Sequence, residues 1–526
     1  MTSSIALPTG TMDEPTISYR SLPHKGQLFI LMLVRFTEPL ATSSISSYLF
    51  FQLQYLDPLA SEETIVTRSG LMVGCKTAAH VCTGLIWGRL ADHQRIGRKA
   101  VLVVGLMATS LATLGYGFSE TFKAAIAWQI LDGALNATIA MVRCMISELN
   151  PEKRYRVRAL TLLPLCANLG SLLGPLIGGF LASASTRASS KTLSKYPYAA
   201  PNICVASIQA LVALTAALFL SDTLDQGKPL STSPRDDSIT DSVESAAAQE
   251  FDERSRLLAS PSTSMETPSP PYKSPTSLPF FKMWTPNVLS TMLAQFIISG
   301  HLGTFSSLWA IFLSMPVAFM RNQHPPVHFS GGLGMKPQGI GIAMSAIGFT
   351  GIVLQVLVYP SVQERWGTIK VWRGALCIFP IVYIIAPFCA LVASLGRSEQ
   401  DEKLSGSTPS ILLWISLLFV LTLFVAGRTG VVPATSLLIN DCTPHPSVRG
   451  TIHTAGVIVS NLSRSIFPPM AFAVLGYGSG IGVVGLGFWF VAALAVLSCL
   501  ASLRVKEGKN GEDDGFEQLG GAPQPS

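Results

Sequence analysis

The chain has 526 residues, of which 48% are hydrophobic and only 13% charged, with a formal net charge of +6. That balance is too apolar for a water-soluble globular protein and leaves a polytopic membrane protein as the class. The positive charge sits in short loops beside apolar runs, with no basic, aromatic-interleaved surface that would suit nucleic acid, and the nine cysteines form neither a disulfide framework nor a zinc ribbon.

Residues Met1 to Gly26 lack the basic start, apolar centre and cleavage site of a signal peptide, so the first span is expected to act as its own signal. A helix crossing the bilayer takes about 20 apolar residues. On that ruler the first half holds six predicted spans: Leu28 to Phe50, Ser69 to Trp87, Ala100 to Phe118, Phe122 to Ile146, Ala159 to Ala182 and Ala200 to Leu220. The second holds six more: Val288 to Met315, Ile340 to Tyr359, Gly374 to Leu395, Ile411 to Val432, Thr451 to Leu475 and Val483 to Leu503. The expected fold is all-α, 12 transmembrane helices in two six-helix halves, residues 28–220 and 284–503. A Ser- and Pro-rich linker over 221–283 has too few large apolar side chains for a core and reads as a disordered cytosolic tether, with cytosolic tails at 1–27 and 504–526.

Loop charge sets the orientation. Gly88 to Lys99 carries Arg89, Arg95, Arg98 and Lys99 against Asp92, and Glu152 to Arg158 and Glu364 to Arg373 are also basic, so these loops belong in the cytosol. The acidic loop Asp57 to Glu63 belongs outside. Arg187, Lys191 and Lys195 disagree, falling on the outer side along a longer loop.

Charged groups at membrane depth are costly, so they are expected to face the interior and to mark a pathway. In span 1, Arg35 and Glu38 share one helix face. Lys76 and His80 lie four apart in span 2, with Lys76 read as a partner for Glu38 or Asp132 or as an anion site, or as a helix-end residue reaching toward headgroups. Asp132, Asn136 and Arg143 form a stripe on span 4. His301 in span 7 reads as a packed or pore-lining polar residue, and Arg428 and Arg464 as unaccompanied cations in spans 10 and 11. His324 and His328 flank two prolines in an outer loop, a weak metal pattern, and no metal site is expected. Gly170, Gly174 and Gly178 make a groove at four-residue spacing in span 5 that lets a neighbouring helix approach, and Pro175 permits a kink.

Several of these stretches resemble one family. Gly88, Leu90, Asp92, Gly97, Arg98 and Lys99 resemble the signature loop between the second and third spans of the major facilitator superfamily, with two extra residues between Asp92 and Gly97. Arg35-Phe-Thr-Glu-Pro39 resembles the start of fungal and zinc-induced-facilitator-like members. The run Gly170 to Gly179 resembles the motif of its proton-coupled drug exporters, and Asn440 to Thr451 its approach to span 11. Relatives often carry an arginine four residues before Gly133, where this chain has Gln129.

The resemblance implies a drug:proton antiporter. Glu38 and Asp132 would load protons unless either is a purely structural partner. Arg35, Lys76, Asn136, His301, Arg428 and Arg464 would line the proton and substrate pathway. Gly88, Asp92, Gly97, Arg98, Gly170, Gly174, Pro175, Gly178 and Gly179 would govern the conformational switch. The expected activity is proton-coupled efflux of a small hydrophobic metabolite or drug; import of a nutrient, organic acid or metal chelate is the alternative, and a non-transporting receptor on the same scaffold the third. A monomer in lipid is expected, with protons and a small molecule as partners, no nucleic acid and no cofactor. Glu253, Leu257 and Leu258 resemble an acidic dileucine sorting signal. The plasma membrane is the favoured location, the vacuolar membrane the alternative.

Overall fold

The computed structural model describes residues 22–91, 93, 95–150, 152–185, 195–223, 283–318, 323–395, 410–444 and 449–506. Asp92, Arg187, Lys191 and the Glu253, Leu257, Leu258 stretch lie outside them. The first half runs α1 (Lys25–Ser46), α2 (Leu49–Leu56), α3 (Glu62–Ala91), α4 (Gly97–Gly117), α5 (Phe122–Leu135), α6 (Thr138–Leu149), α7 (Lys153–Ser185) and α8 (Ala199–Phe219). The second runs α9 (Pro286–Ser314), α10 (Pro337–Val353), α11 (Tyr359–Trp366), α12 (Thr368–Leu376), α13 (Ile378–Ile385), α14 (Cys389–Leu395), α15 (Ile411–Asp441), α16 (Arg449–Gly480) and α17 (Gly485–Ser502).

Among the described residues, eleven helical runs are long and apolar enough to cross a bilayer. The twelfth crossing is α3, whose apolar stretch Lys76 and His80 dilute, and which packs between α5 and α16. Several helices outrun their apolar stretches; α7 starts at Lys153 and α15 ends at Asp441. A helix satisfies its own backbone and continues past the hydrocarbon, whereas an apolar count sees only the hydrocarbon. Side chains set some of the starts. Thr121, Thr285 and Ser410 cap α5, α9 and α15 by accepting the N–H of Ala124, Val288 and Leu413.

Four predicted spans are not continuous α-helices. Span 1 stops at Ser46 and resumes at Leu49, where the Ser46 and Ser47 hydroxyls donate to the Ser43 and Ser44 carbonyls at 2.7 Å and compete with the backbone ladder. Span 4 breaks at Asn136. Span 8 passes through a π turn at Leu354–Val358, and span 9 through a 3-10 turn at Ala386–Phe388 that contains Pro387.

Lipid offers no hydrophobic drive between helices, so close packing of small residues does the work. The span 5 glycines show how. A Cβ at Gly170 would sit 2.6 Å from the Phe36 carbonyl oxygen and one at Gly174 2.5 Å from that of Leu40, so α7 lies directly on α1. Gly179 faces the other way, onto Pro337 and Gly341 of α10 in the second half. The Ser345 hydroxyl donates to the Leu172 carbonyl at 2.7 Å, and the Asn168 amide to Gln355 at 2.9 Å, along the same seam.

The two halves meet through α3 with α16 and through α7 with α10. Toward the outer side one apolar cluster runs across both halves, taking in Tyr48, Leu53 and Val66 from the first and Leu302, Phe472 and Leu475 from the second. Toward the cytosol each half has its own cluster, one around Leu102, Met145 and Leu220, the other around Val288, Met292 and Ile452. The same divergence shows on α3, where Gly70 and Gly74 touch Phe472 and Pro469 but Gly84 and Gly88 border open space. The bundle is closed at the end where α1 finishes and parted at the end where α1 begins, the end that the loop charges assign to the cytosol.

Candidate transport site

Two ion pairs stand midway along the first-half helices. Arg35 donates to Glu38 at 3.0 Å, both on α1 and both partly exposed. Lys76 on α3 meets Asp132 on α5 at 2.5 Å, with Asp132 nearly buried. Of the partners open to Lys76 in the sequence, the structure selects Asp132. Gly133 makes this possible, because any side chain there would collide with the Lys76 carbonyl.

The break in span 4 belongs to the same place. Asn136 has extended backbone, and its Oδ1 accepts from the Thr138 N–H at 3.2 Å and the Thr138 hydroxyl at 2.7 Å. The freed Ala134 carbonyl accepts the Trp87 indole N–H at 2.7 Å. Asn136 thus ends one helix and starts the next, and the stripe expected from an unbroken helix becomes a corner. Glu38, Lys76, Asp132, Asn136, Thr138 and Gln209 line one small polar pocket inside the first half. Gln209 and Thr138 carry no charge, and nothing in the sequence of their spans marked them.

Arg143, below the break on α6, lies within electrostatic reach of Arg35 and Glu38. So does Arg464 of α16 from the opposite half, and Arg428 of α15 lies within reach of Arg464. The seam between the halves therefore gathers Arg35, Glu38, Arg143, Arg428 and Arg464. His301 is placed elsewhere. It is fully buried, its Nδ1 3.0 Å from the Tyr383 hydroxyl and its ring against Phe379, because its face of α9 turns into the second half's aromatic core.

At the cytosolic loop, Gly97 has φ +76°, a conformation only glycine adopts without strain, and a side chain there would strike Asp222. Arg98 pairs with Glu148 at the end of α6, and the Thr223 hydroxyl donates to the same carboxylate at 2.6 Å. In this state the described part of the loop is tied to its own half. Outside, Lys195 pairs with Glu120 at 2.8 Å, so the one described basic residue on the outer side that opposed the loop-charge pattern is neutralised there.

Two turns of α3, from Glu62 to Arg68, stand beyond the apolar stretch at the outer face. Burial pushes the Glu62 carboxyl up to about 7 from its ordinary 4.5, and its Oε1 has no hydrogen-bond partner. The folded protein holds this proton at pH values where the unfolded chain has lost it. Stability from this group is therefore undiminished below pH 4.5 and falls as the pH rises through 7. Glu62→Gln, which cannot ionise, is expected to raise the thermal midpoint in detergent more at pH 8 than at pH 5; an equal change at both would show that Glu62 does not titrate in this range.

Two six-helix halves, closed on one side and parted on the other, with the Arg35–Glu38 pair near their seam, have the architecture of a membrane carrier. The profile of the Major Facilitator Superfamily matches residues 28–324, more than half of the chain, and the chain belongs to that superfamily. It is 24% identical to the major facilitator superfamily multidrug transporter mfsB of Aspergillus fumigatus, over 93% of this chain and 84% of that one. It is 26% identical to the efflux pump azaK of Aspergillus niger, over 91% and 87%. Among solved structures a D-xylose-proton symporter superposes with a TM-score of 0.60 at 13% identity, covering 92% of this chain and 98% of that one, a likeness of fold alone. The protein is a multi-pass membrane transporter.

Proposed function

We propose that this transporter exports a small organic molecule in exchange for protons. One observation carries the reading: Glu38 and Asp132, each held by a cation at 3.0 and 2.5 Å, converge on the same polar pocket beside the seam. A proton on either carboxylate dissolves its ion pair and changes what ties α1 to its surroundings or α3 to α5. That is how a proton can bias the movement of the halves. Export rather than import is supported by the printed roles of the two fungal relatives, a multidrug transporter and an efflux pump. We favour the plasma membrane as its place of action, with the vacuolar membrane as the alternative.

The test is reconstitution in vesicles carrying a pH-sensitive dye, challenged with a panel of amphipathic drugs. Substrate-driven proton flux is expected, and Glu38→Gln is expected to reduce it by about tenfold or more while drug binding persists, as for a carboxylate that carries the coupling proton. Coupling of wild-type strength in Glu38→Gln would remove that residue from the mechanism. Uptake as the net direction, seen as drug resistance on deleting the gene, would favour the importer.

A further inference from the structure

Among the described residues the seam holds more positive than negative charge. Arg35 is taken by Glu38, and Arg143 and Arg464 reach this same pair from opposite halves, with Arg428 beside Arg464. Among the described residues, Arg143, Arg428 and Arg464 have no ion-pair or side-chain hydrogen-bond partner. Arg143 and Arg464 lie deep between the helices, yet their surfaces are accessible, as expected of side chains on an open cleft. The second carboxylate of the region, Asp132, is occupied by Lys76 and faces the first half's own pocket.

A guanidinium keeps its proton at every physiological pH, so this excess cannot be titrated away. While the cleft is open to the cytosol, water hydrates the arginines. Closing on the cytosolic side expels that water and leaves Arg143 and Arg464, which both reach the Arg35–Glu38 pair, as like charges in a low-dielectric space, which is strongly unfavourable without a counter-charge. Glu38, already paired, cannot serve them all. The missing negative charge must arrive with the cargo.

We infer that the cargo is an organic anion, its oxyanion group held between Arg143 of the first half and Arg464 of the second, with Arg428 adding to the positive field. The planar guanidinium forks suit a carboxylate, sulfate or phosphate ester, and two arginines from opposite halves let one anion draw the halves together. An empty carrier closes against repulsion; a loaded one does not. An inside-negative membrane adds about 2.3 kcal/mol per 100 mV to the exit of each negative charge and also drives proton inflow, so both movements run downhill in potential.

This inference rests on the exporter reading and names its substrate class. It is tested by loading vesicles containing the intact protein with either fluorescein, an anionic xanthene dye, or rhodamine 123, a cationic dye on the same ring frame. Fluorescein is expected to leave about tenfold or more faster than rhodamine 123, and faster still under a potential that favours anion exit. Arg464→Gln is expected to slow it by about tenfold or more, whereas Arg464→Lys, which keeps the charge, retains a substantial part of the rate. Monodisperse elution confirms that each variant is folded. Movement of rhodamine 123 alone overturns the anion assignment and leaves export standing. Movement of neither dye by folded wild-type protein overturns both readings. Fluorescein movement of wild-type rate in both Arg143→Gln and Arg464→Gln overturns the site.

Discussion

Asp132→Asn is expected to destabilise the protein by about 3 to 5 kcal/mol and to abolish coupled transport, because it strands an ammonium whose partner is nearly buried. Lys76 meets Asp132 at 2.5 Å, and the two side chains are only 18% and 9% exposed. The neighbouring pocket polar groups are already engaged or uncharged: Asn136 accepts from Thr138, and Gln209 carries no charge. The pocket's other carboxylate, Glu38, is already held by Arg35 at 3.0 Å. The double variant Lys76→Met with Asp132→Leu removes both charges, and a well-packed apolar replacement of a buried pair is about neutral in stability. It should therefore recover the thermal midpoint of the wild type without recovering proton coupling. Midpoints by detergent size-exclusion after heating, read beside proton flux in vesicles, separate the two effects. A fully coupled double variant would show that this pair is structural only.

Two chemically identical substitutions should give opposite outcomes. Gly174→Ala places a Cβ 2.5 Å from the Leu40 carbonyl oxygen and 3.0 Å from the Ser43 side chain, and backbone cannot swing aside as a flexible side chain can. Overpacking of this kind costs about 1 to 3 kcal/mol, and α7 must separate from α1, so transport is expected to fail with it. Gly84→Ala on α3 meets nothing within 4 Å, and it replaces glycine by the best helix former, a gain of up to about 1 kcal/mol. A lower midpoint for Gly174→Ala beside an unchanged or higher one for Gly84→Ala is the expected pair of results. Equal behaviour would mean that α7 and α1 are not in contact through this stripe.

The stripe of glycines in span 5 was legible because small residues at four-residue spacing have few uses in a membrane other than close packing. What could not be read was that Gly170 and Gly174 take α1 while Gly179 takes α10, since one helix has several faces and spacing does not name the neighbour. The charged residues were legible for a similar reason: each stands out against apolar sequence. The break at Asn136 was not, because an asparagine two residues before a threonine interrupts a helix only when its side chain turns back to accept the Thr138 N–H, and solvent-free surroundings make that bond worth keeping. His301 left two readings open in the sequence, packed or pore-lining, and it ended packed in an aromatic core.

The number of crossings and the identity of the costly charges are local quantities, set by runs of apolar residues against hydrocarbon thickness, and so the chain's order of residues was enough for them. The pairing of Lys76 with Asp132, the corner in span 4, the burial of His301 and the approach of Arg143 and Arg464 to the Arg35–Glu38 pair are decided by residues far apart in the chain. Only the packed bundle decides these, because an ion pair or a shared cleft depends on which helix faces lie together, and that follows from the shapes of all the helices at once.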